Sequence, residues 1–539
     1  MDNTLQGVTR QSYPRRWWAF GVLSFSLLVI ALDNTVLNVA LPTLQRDLSA
    51  SESQLQWIVD AYTLVFAGLL LTMGSLSDRF GRRRALMLGL LIFAGGSLWS
   101  AFSGSANVLI AARAFMGIGG ALIMPSTLSI TTNMFSGKER GRAIGAWAGV
   151  AGLGIIVGPV FGGWLLAHYH WGVVFLINVP MILITLLGSI FLVPESRDPQ
   201  ASRLDPPGAL LSIGGLTALL WGIIEVPNNG WGDRYVIGAF VAAAVFLLAF
   251  VIWELRTRSP MLDVRLFANP RFSAASAALT LTTFALFGVL FCLTQYLQFI
   301  LGYTPLQAGI GLIPLIPSLI IGSTLSPRIV ERIGVKIPVA VGLVIVASGM
   351  WLLSTISVSS GYGLIAWVLL ILGLGMGMTM APATNSIMGA LPLGRAGVGS
   401  AVNDTTRQVG GALGVALLGS ILSAVYRTSM DGAAIVKLLP APVQNVVRDS
   451  VGKAVGVATI ISAHSSSRAG QALVAAAHSA FTEAMGRTIL VAAIVTLCGA
   501  LIALLFLPAH SKDELEDEAP PVAESVGLTE QEPATTIDV

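Results

Sequence analysis

Apolar residues in this chain gather into long runs separated by short polar segments, and do not alternate with polar ones. A bilayer core is about 30 Å thick and every backbone polar group inside it must be satisfied, so a run of about 20 apolar residues predicts one membrane-crossing helix. The first part of the chain supplies six such runs, at 17–41, 54–76, 85–102, 107–130, 143–167 and 171–193. Two more, 208–225 and 235–254, lie between a polar stretch at 194–207 and a charged one at 255–271. The remainder supplies 272–301, 306–325, 337–356, 362–388, 398–426 and 488–507. Fourteen spans are expected, which makes this an all-α integral membrane protein. The even count and the central linker suggest a short segment 1–16, a six-helix bundle 17–193, a linker 194–271 with two extra helices, and a second six-helix bundle 272–507.

Charge refines this picture. Only 11% of the 539 residues are charged and 54% are hydrophobic, far from the roughly 25% charged of an average soluble domain. The net charge of +3 offers no basic excess to neutralise phosphates, which excludes nucleic acid as a partner. If the N-terminus is cytoplasmic, 21 Lys and Arg fall in inner segments and 8 in outer ones, six of the eight in the long loop 427–487. The excess marks the cytoplasmic side, so both termini are expected there. The Ala-rich loop 427–487 has no run long enough to span and is expected to form short helices over the outer mouth. The tail 508–539 carries nine acidic residues and four prolines and reads as disordered and solvated. Cys292 and Cys498 lie in apolar stretches, and the five histidines have no ligand spacing, so neither a disulfide nor a metal site is expected.

A charge in the hydrocarbon region costs several kcal/mol and is a functional hypothesis by default. Asp33, Asp60 and Arg113 fall at similar depth in the outer third of their spans, where two carboxylates and a guanidinium can share a proton-exchanging network. The alternative is a salt-bridge cluster that only locks spans together. Asp404 lies near the inner side with Arg407 one turn later, either as a coupling or substrate group or as an inert pair. Glu225 and Glu254 sit at span ends and read as interfacial anchors.

Small residues recur every four positions in Gly152-Leu-Gly-Ile-Ile-Val-Gly-Pro-Val-Phe-Gly-Gly, which permits close helix approach, while Pro159 invites a bend. Gly373, Gly375, Gly377 and Pro382 form a comparable stretch without charge, read as packing and bending. Trp57, Tyr62, Trp147, Phe161, Phe291 and Tyr296 are candidates to line a cavity and stack on a flat cation, or else pack and mark interfaces.

These motifs resemble the major facilitator superfamily and, within it, the fourteen-span drug:proton antiporters, across about 17–507. Leu32-Asp-Asn-Thr-Val-Leu-Asn-Val-Ala-Leu-Pro resembles the first-span motif of that subfamily. Gly74-Ser-Leu-Ser-Asp-Arg-Phe-Gly-Arg-Arg-Arg resembles the superfamily's inner-loop motif, faintly echoed by Ser326-Pro-Arg-Ile-Val-Glu-Arg-Ile-Gly-Val-Lys, and implies gating roles for Gly74, Asp78, Arg79, Gly81 and Arg82. Arg113-Ala-Phe-Met-Gly-Ile-Gly-Gly resembles the fourth-span motif whose arginine is linked to proton transfer, with Met116 in place of the usual Gln. Gly154, Gly158, Pro159, Gly162 and Gly163 lie in a stretch that resembles the fifth-span motif of exporters, which also implies gating. The resemblance implies proton coupling by Asp33, Asp60, Arg113 and Asp404. It also implies recognition of lipophilic cations by Asp33, Asp60 and Asp404, beside the aromatics Trp57, Tyr62, Phe291 and Tyr296. The tenth span departs from the family in having no acidic residue.

The expected function is proton-coupled efflux of lipophilic, often cationic, drugs across a bacterial inner membrane by a monomer with small-molecule drugs, protons and membrane lipid as partners and no cofactor. The alternatives are export of an endogenous metabolite, lipid or antibiotic, and a sensor or scaffold that transports nothing. No nucleophile, base and orienter can be assembled into an enzyme site, and no Gly-x-x-x-x-Gly-Lys-Ser/Thr loop supports ATP use.

Overall fold

The computed structural model describes residues 15–135, 137–197, 205–257, 260, 262–389, 396–464 and 467–507. The expected N-terminal segment up to residue 14 and the tail 508–539 lie outside the described residues. Among those described, every regular element is a helix. The first group is α1 (Arg16–Asp47), α2 (Glu52–Phe80), α3 (Arg82–Ala101), α4 (Ala106–Met134), α5 (Gly137–His168), the short α6 (Val173–Leu176) and α7 (Asn178–Leu192). The pair α8 (Pro206–Asn229) and α9 (Arg234–Arg256) follows. The second group is α10 (Pro270–Gln295), α11 (Pro305–Gly311), α12 (Leu315–Ile333), α13 (Lys336–Ser354), α14 (Tyr362–Gly389) and α15 (Ala396–Gly432). It ends with α16 (Ala434–Lys437), α17 (Ala441–Asp449), α18 (Val451–His464) and α19 (Ser467–Phe506).

Within the first group α4 packs on α2 and α3, and α1 packs on α5 and α7. Within the second, α12 lies on α14, α10 on α15, and α13 on α14 and α19. The α8–α9 hairpin covers the seam where α2 of one half meets α15 of the other. Its outer helix leaves Ile237, Val241, Val245, Leu248 and Ile252 exposed, an apolar face suited to lipid tails. Two ends of the molecule are distinguishable. One carries the α2–α3 and α12–α13 turns with their arginines and is called the basic end; the other carries α16 to α18 and is called the capped end.

Twelve helices, or thirteen with the bent pair Glu52–Leu70 and Thr72–Phe80, are long and apolar enough to cross a membrane among the described residues. The expected span at 143–167 falls in α5, a 32-residue helix many of whose side chains lie outside those described. Several boundaries differ from expectation for local reasons. The span expected at 306–325 is split into α11 and α12 next to Pro314, which cannot donate into the helical ladder. The helix expected to begin at 488 begins at Ser467 and runs for 40 residues, because the Ala-rich stretch before it has high helix propensity.

The halves touch near the capped end. A Cβ on Gly163 would overlap the backbone of Pro305 and Leu306, and one on Gly309 would overlap the Pro159 carbonyl, so α5 and α11 approach backbone to backbone. Gln298 Nε2 of the second half donates to the Val39 carbonyl of the first at 2.8 Å. Between these contacts a cavity of about 20 Å³, lined by Thr35, Asn38, Pro159, Leu290, Gly309 and Leu312, has room for water and not for a drug-sized molecule.

Candidate functional site

Asp33, near the middle of α1, is buried, and Arg113 of α4 forms an ion pair with its Oδ2. Asn178, the first residue of α7, donates to Asp33 Oδ1 at 3.0 Å and to Ser97 Oγ of α3 at 3.3 Å. Arg113 also donates from Nε to the Ile58 carbonyl of α2 at 3.3 Å, and its guanidinium lies 4.4 Å from the Tyr62 ring centre. Met116 puts its sulfur 3.3 Å from Ser100 Oγ and 3.8 Å from the Arg113 guanidinium. Five helices thus converge on one buried ion pair whose other hydrogen-bond partners among the described residues, the Ile58 carbonyl, Met116 and Asn178, are neutral. Such a pair is costly to break from one side, because the other charge is left uncompensated.

Asp60 does not join this network by a hydrogen bond. It is fully buried in α2, and neither carboxylate oxygen has a partner among the described residues. A buried carboxylate with neither donor nor counter-charge is a group that a proton or a cation satisfies. Asp404 of α15 is also buried and accepts from Asn403 Nδ2 at 3.4 Å, with Arg407 one turn on. These two carboxylates and the ion pair are therefore three different electrostatic environments, where sequence spacing alone suggested one shared cluster in the first half.

The aromatic candidates are dispersed. Tyr62 is buried between Arg113 and Phe66, whose ring stacks on it at 5.7 Å. Trp57 packs with Leu220, Ile224 and Ala416 where α2, α8 and α15 meet. Phe291 is fully buried in α10. Tyr296 spends its hydroxyl on the Ser357 and Ser360 carbonyls, at 2.9 and 3.3 Å, tying α10 to the α13–α14 turn. Trp147 donates from Nε1 to Thr127 Oγ1 at 3.2 Å, and Phe161 stacks on Trp164 at 6.2 Å.

At the basic end, Arg82 Nε pairs with Asp78 Oδ1 at 2.7 Å and its Nη1 reaches the Ser129 carbonyl at 3.4 Å. Gly81, with φ of +116°, makes the turn that aligns them. Glu195 accepts from the Arg83 backbone N–H at 3.1 Å and would collide with any Cβ on Gly81. A Cβ on Gly74 would meet Pro125 of α4 at ordinary contact distance, and Arg79 is exposed with its guanidinium 5.8 Å from the Phe80 ring centre. In α5, Gly154, Gly158 and Gly162 face Ala31, Thr35 and Val36 of α1. Thr35 Oγ1 there donates to the Gly154 carbonyl at 3.0 Å.

Sequence reasoning did not single out Asn178, Ser97, Glu195 or Glu52. Asn178 had a signal, as a polar side chain inside an apolar run. Glu195 and Glu52 had none, because each sits just beyond a predicted span and reads as ordinary loop polarity.

The Major Facilitator Superfamily model matches residues 23–415, which includes the α1 carboxylate, the α2–α3 turn, the α4 arginine and the α5 glycines. The chain belongs to this superfamily. It is similar to the Multidrug efflux pump LfrA of Mycolicibacterium smegmatis, 35% identical over 93% of this chain and 99% of that protein. It is also similar to the Tetracenomycin C resistance and export protein of Streptomyces glaucescens, 32% identical over 95% of this chain and 96% of that protein. Among solved structures, a bacterial homolog of the human lysosomal transporter Spinster, inward-facing and unoccupied, matches with a TM-score of 0.66 and 18% identity. That match covers 93% of this chain and 99% of the other and shares the fold. The protein is accordingly a multi-pass membrane transporter of the major facilitator fold and not an enzyme.

Proposed function

We propose that this transporter expels lipophilic, mostly cationic, drugs in exchange for protons by alternating access between its two halves. The observation that carries the reading is Asp60, a fully buried carboxylate without a partner among the described residues. A proton and an organic cation satisfy such a group equally well in charge and cannot both do so at once, which is the chemical basis of antiport. Asp33, held by Arg113 and Asn178, positions α1 against α4 and α7 and exchanges protons only when that network rearranges. Asp404 supplies a negative charge from the second half. The clamp of Asp78 and Arg82 and the glycines of α5 act as hinges between states.

The Lys and Arg bias supports a reading in which the basic end and both termini face the cytoplasm of a bacterial inner membrane and the closed capped end faces outward. The unit is a monomer of two bundles, 17–193 and 272–507, bridged by 194–271, and needs no cofactor. A second reading, export of one particular antibiotic or metabolite, is favoured by relatives named for single compounds, tetracenomycin C and puromycin.

Ethidium movement in everted vesicles under an imposed proton gradient tests the proposal. Wild type is expected to move dye, and Asp60→Asn to lose at least about tenfold of that flux. Unchanged flux in Asp60→Asn removes Asp60 from coupling. Wild type that moves no lipophilic cation, but does move a single antibiotic, favours the second reading.

A further inference from the structure

Glu52 begins α2 at the capped end and is 4% exposed although it lies on the line where the two halves meet. Its Oε1 accepts from Gln295 Nε2 of α10 at 2.9 Å, across the seam, and its Oε2 accepts from Gln45 Nε2 of α1 at 3.3 Å, within its own half. Gln45 and Gln295 both donate to this one carboxylate, Gln295 Nε2 also reaching the Phe291 carbonyl at 3.4 Å, while their own oxygens are buried without partners among the described residues. No cation pairs with Glu52 among the described residues. The charged and titratable groups facing it are Arg427 and Tyr426 of α15, Asp449 of α17 and Cys292 of α10. Arg427 is itself engaged by Asp449 at 3.2 Å and by the Pro227 carbonyl at 3.1 Å, and Lys453 of α18 also holds Asp449, at 2.7 Å.

Parting the halves at this end must break the bond to Gln295 and let water reach the carboxylate. A group that is dry in one state and wet in the other binds protons with different affinity in the two, and by linkage its protons shift the conformational equilibrium. We propose that Glu52 is a proton-linked latch of the capped end, a coupling position separate from Asp33, Asp60 and Asp404. Neutral Glu52 favours the closed seam, since closing then buries no charge; ionised Glu52 favours the open, hydrated one. In an outward-open transporter, protons from outside would thus promote closure after the substrate has left. The proposal rests on the alternating-access reading above.

The test uses the full-length protein in lipid nanodiscs, with Cys498→Ser, and nitroxides at Gly104→Cys and Val358→Cys, exposed turn positions at the capped end of the two halves. Pulsed electron-electron distance measurements are made from about pH 5.5 to about pH 8.5. The short-distance population in the wild-type background is expected to fall at least about threefold across that range, with Glu52→Asp retaining the fall and Glu52→Gln holding the population within about 1.5-fold. Gln295→Met removes the donor across the seam and keeps the carboxylate, so it is expected to lower the short-distance population at every pH, which provides a readout should Glu52→Gln fold poorly. A Glu52→Gln protein whose pH response matches wild type overturns the latch, as does a Gln295→Met protein with an unchanged distribution. Distances in wild type that never change, with or without ethidium and at any pH, overturn the alternating-access reading instead.

Discussion

The two halves repeat one architecture with different distributions of charge. In the first, Asp33, Arg113, Asn178 and Ser97 tie α1, α3, α4 and α7 through a buried network, and the α2–α3 turn is clamped by Asp78, Arg82 and Glu195. In the second, Asp404 accepts from its neighbour Asn403, and Arg328, Glu331, Arg332 and Lys336 of the echoing α12–α13 turn make no ion pair among the described residues. Both turns use a glycine of positive φ, Gly81 and Gly334. The shared glycine shows that the fold requires the turn, while the clamp and the buried network are additions to one half. The second half keeps its ion pairs at the capped end, where Asp449 holds Arg427 and Lys453, so the contrast between the halves lies within the spans and at the basic end.

The sharpest way to break that comparison is to remove one charge from each half. Arg113→Leu leaves Asp33 buried without its counter-charge and is expected to cost about 3–5 kcal/mol, read as a large fall in the melting temperature of the detergent-solubilised protein. Asp404→Asn should melt close to wild type; equal falls in both would end the claim of asymmetry. A smaller effect is expected from packing. Gly158→Val forces a side chain against Thr35 and should cost about 1–3 kcal/mol, whereas Gly238→Val, on a face with nothing within 4 Å, should be silent. Next, Asn178→Ala strips one donor from Asp33 and is expected to cost about 1–3 kcal/mol, with a matching shift in thermal unfolding. The smallest change in stability belongs to the turns. Arg82→Gln should lower stability by no more than about 1 kcal/mol and dye flux severalfold, while Arg332→Gln should leave flux within about twofold of wild type. Equal flux in the two turn variants would mean that the clamp is ornamental.

The spans were legible because hydropathy is a local property that a bilayer reads directly, and twelve or thirteen of the expected fourteen are recovered as apolar helices among the described residues. Asp33 and Arg113 were visible for the same reason, since a charge stands out in an apolar run. Their direct pairing was not, because 80 residues separate them and only the packing of α1 on α4 brings them together. Tyr296 shows another limit: its aromatic ring within an apolar run was legible, whereas the commitment of its hydroxyl to a turn at the capped end was not.

Sequence by itself therefore determined the membrane class, the number scale of the spans, the end at which positive charge gathers and the identity of the costly intramembrane charges. Each of these follows from composition within one helix length. Tertiary structure decided which charges are paired, which carboxylate is left bare, and that Glu52, one residue past a loop serine, is sealed in the seam by a glutamine 243 residues away. Pairing and burial depend on how helices cross, and a hydrophobic run carries no information about its crossing partner.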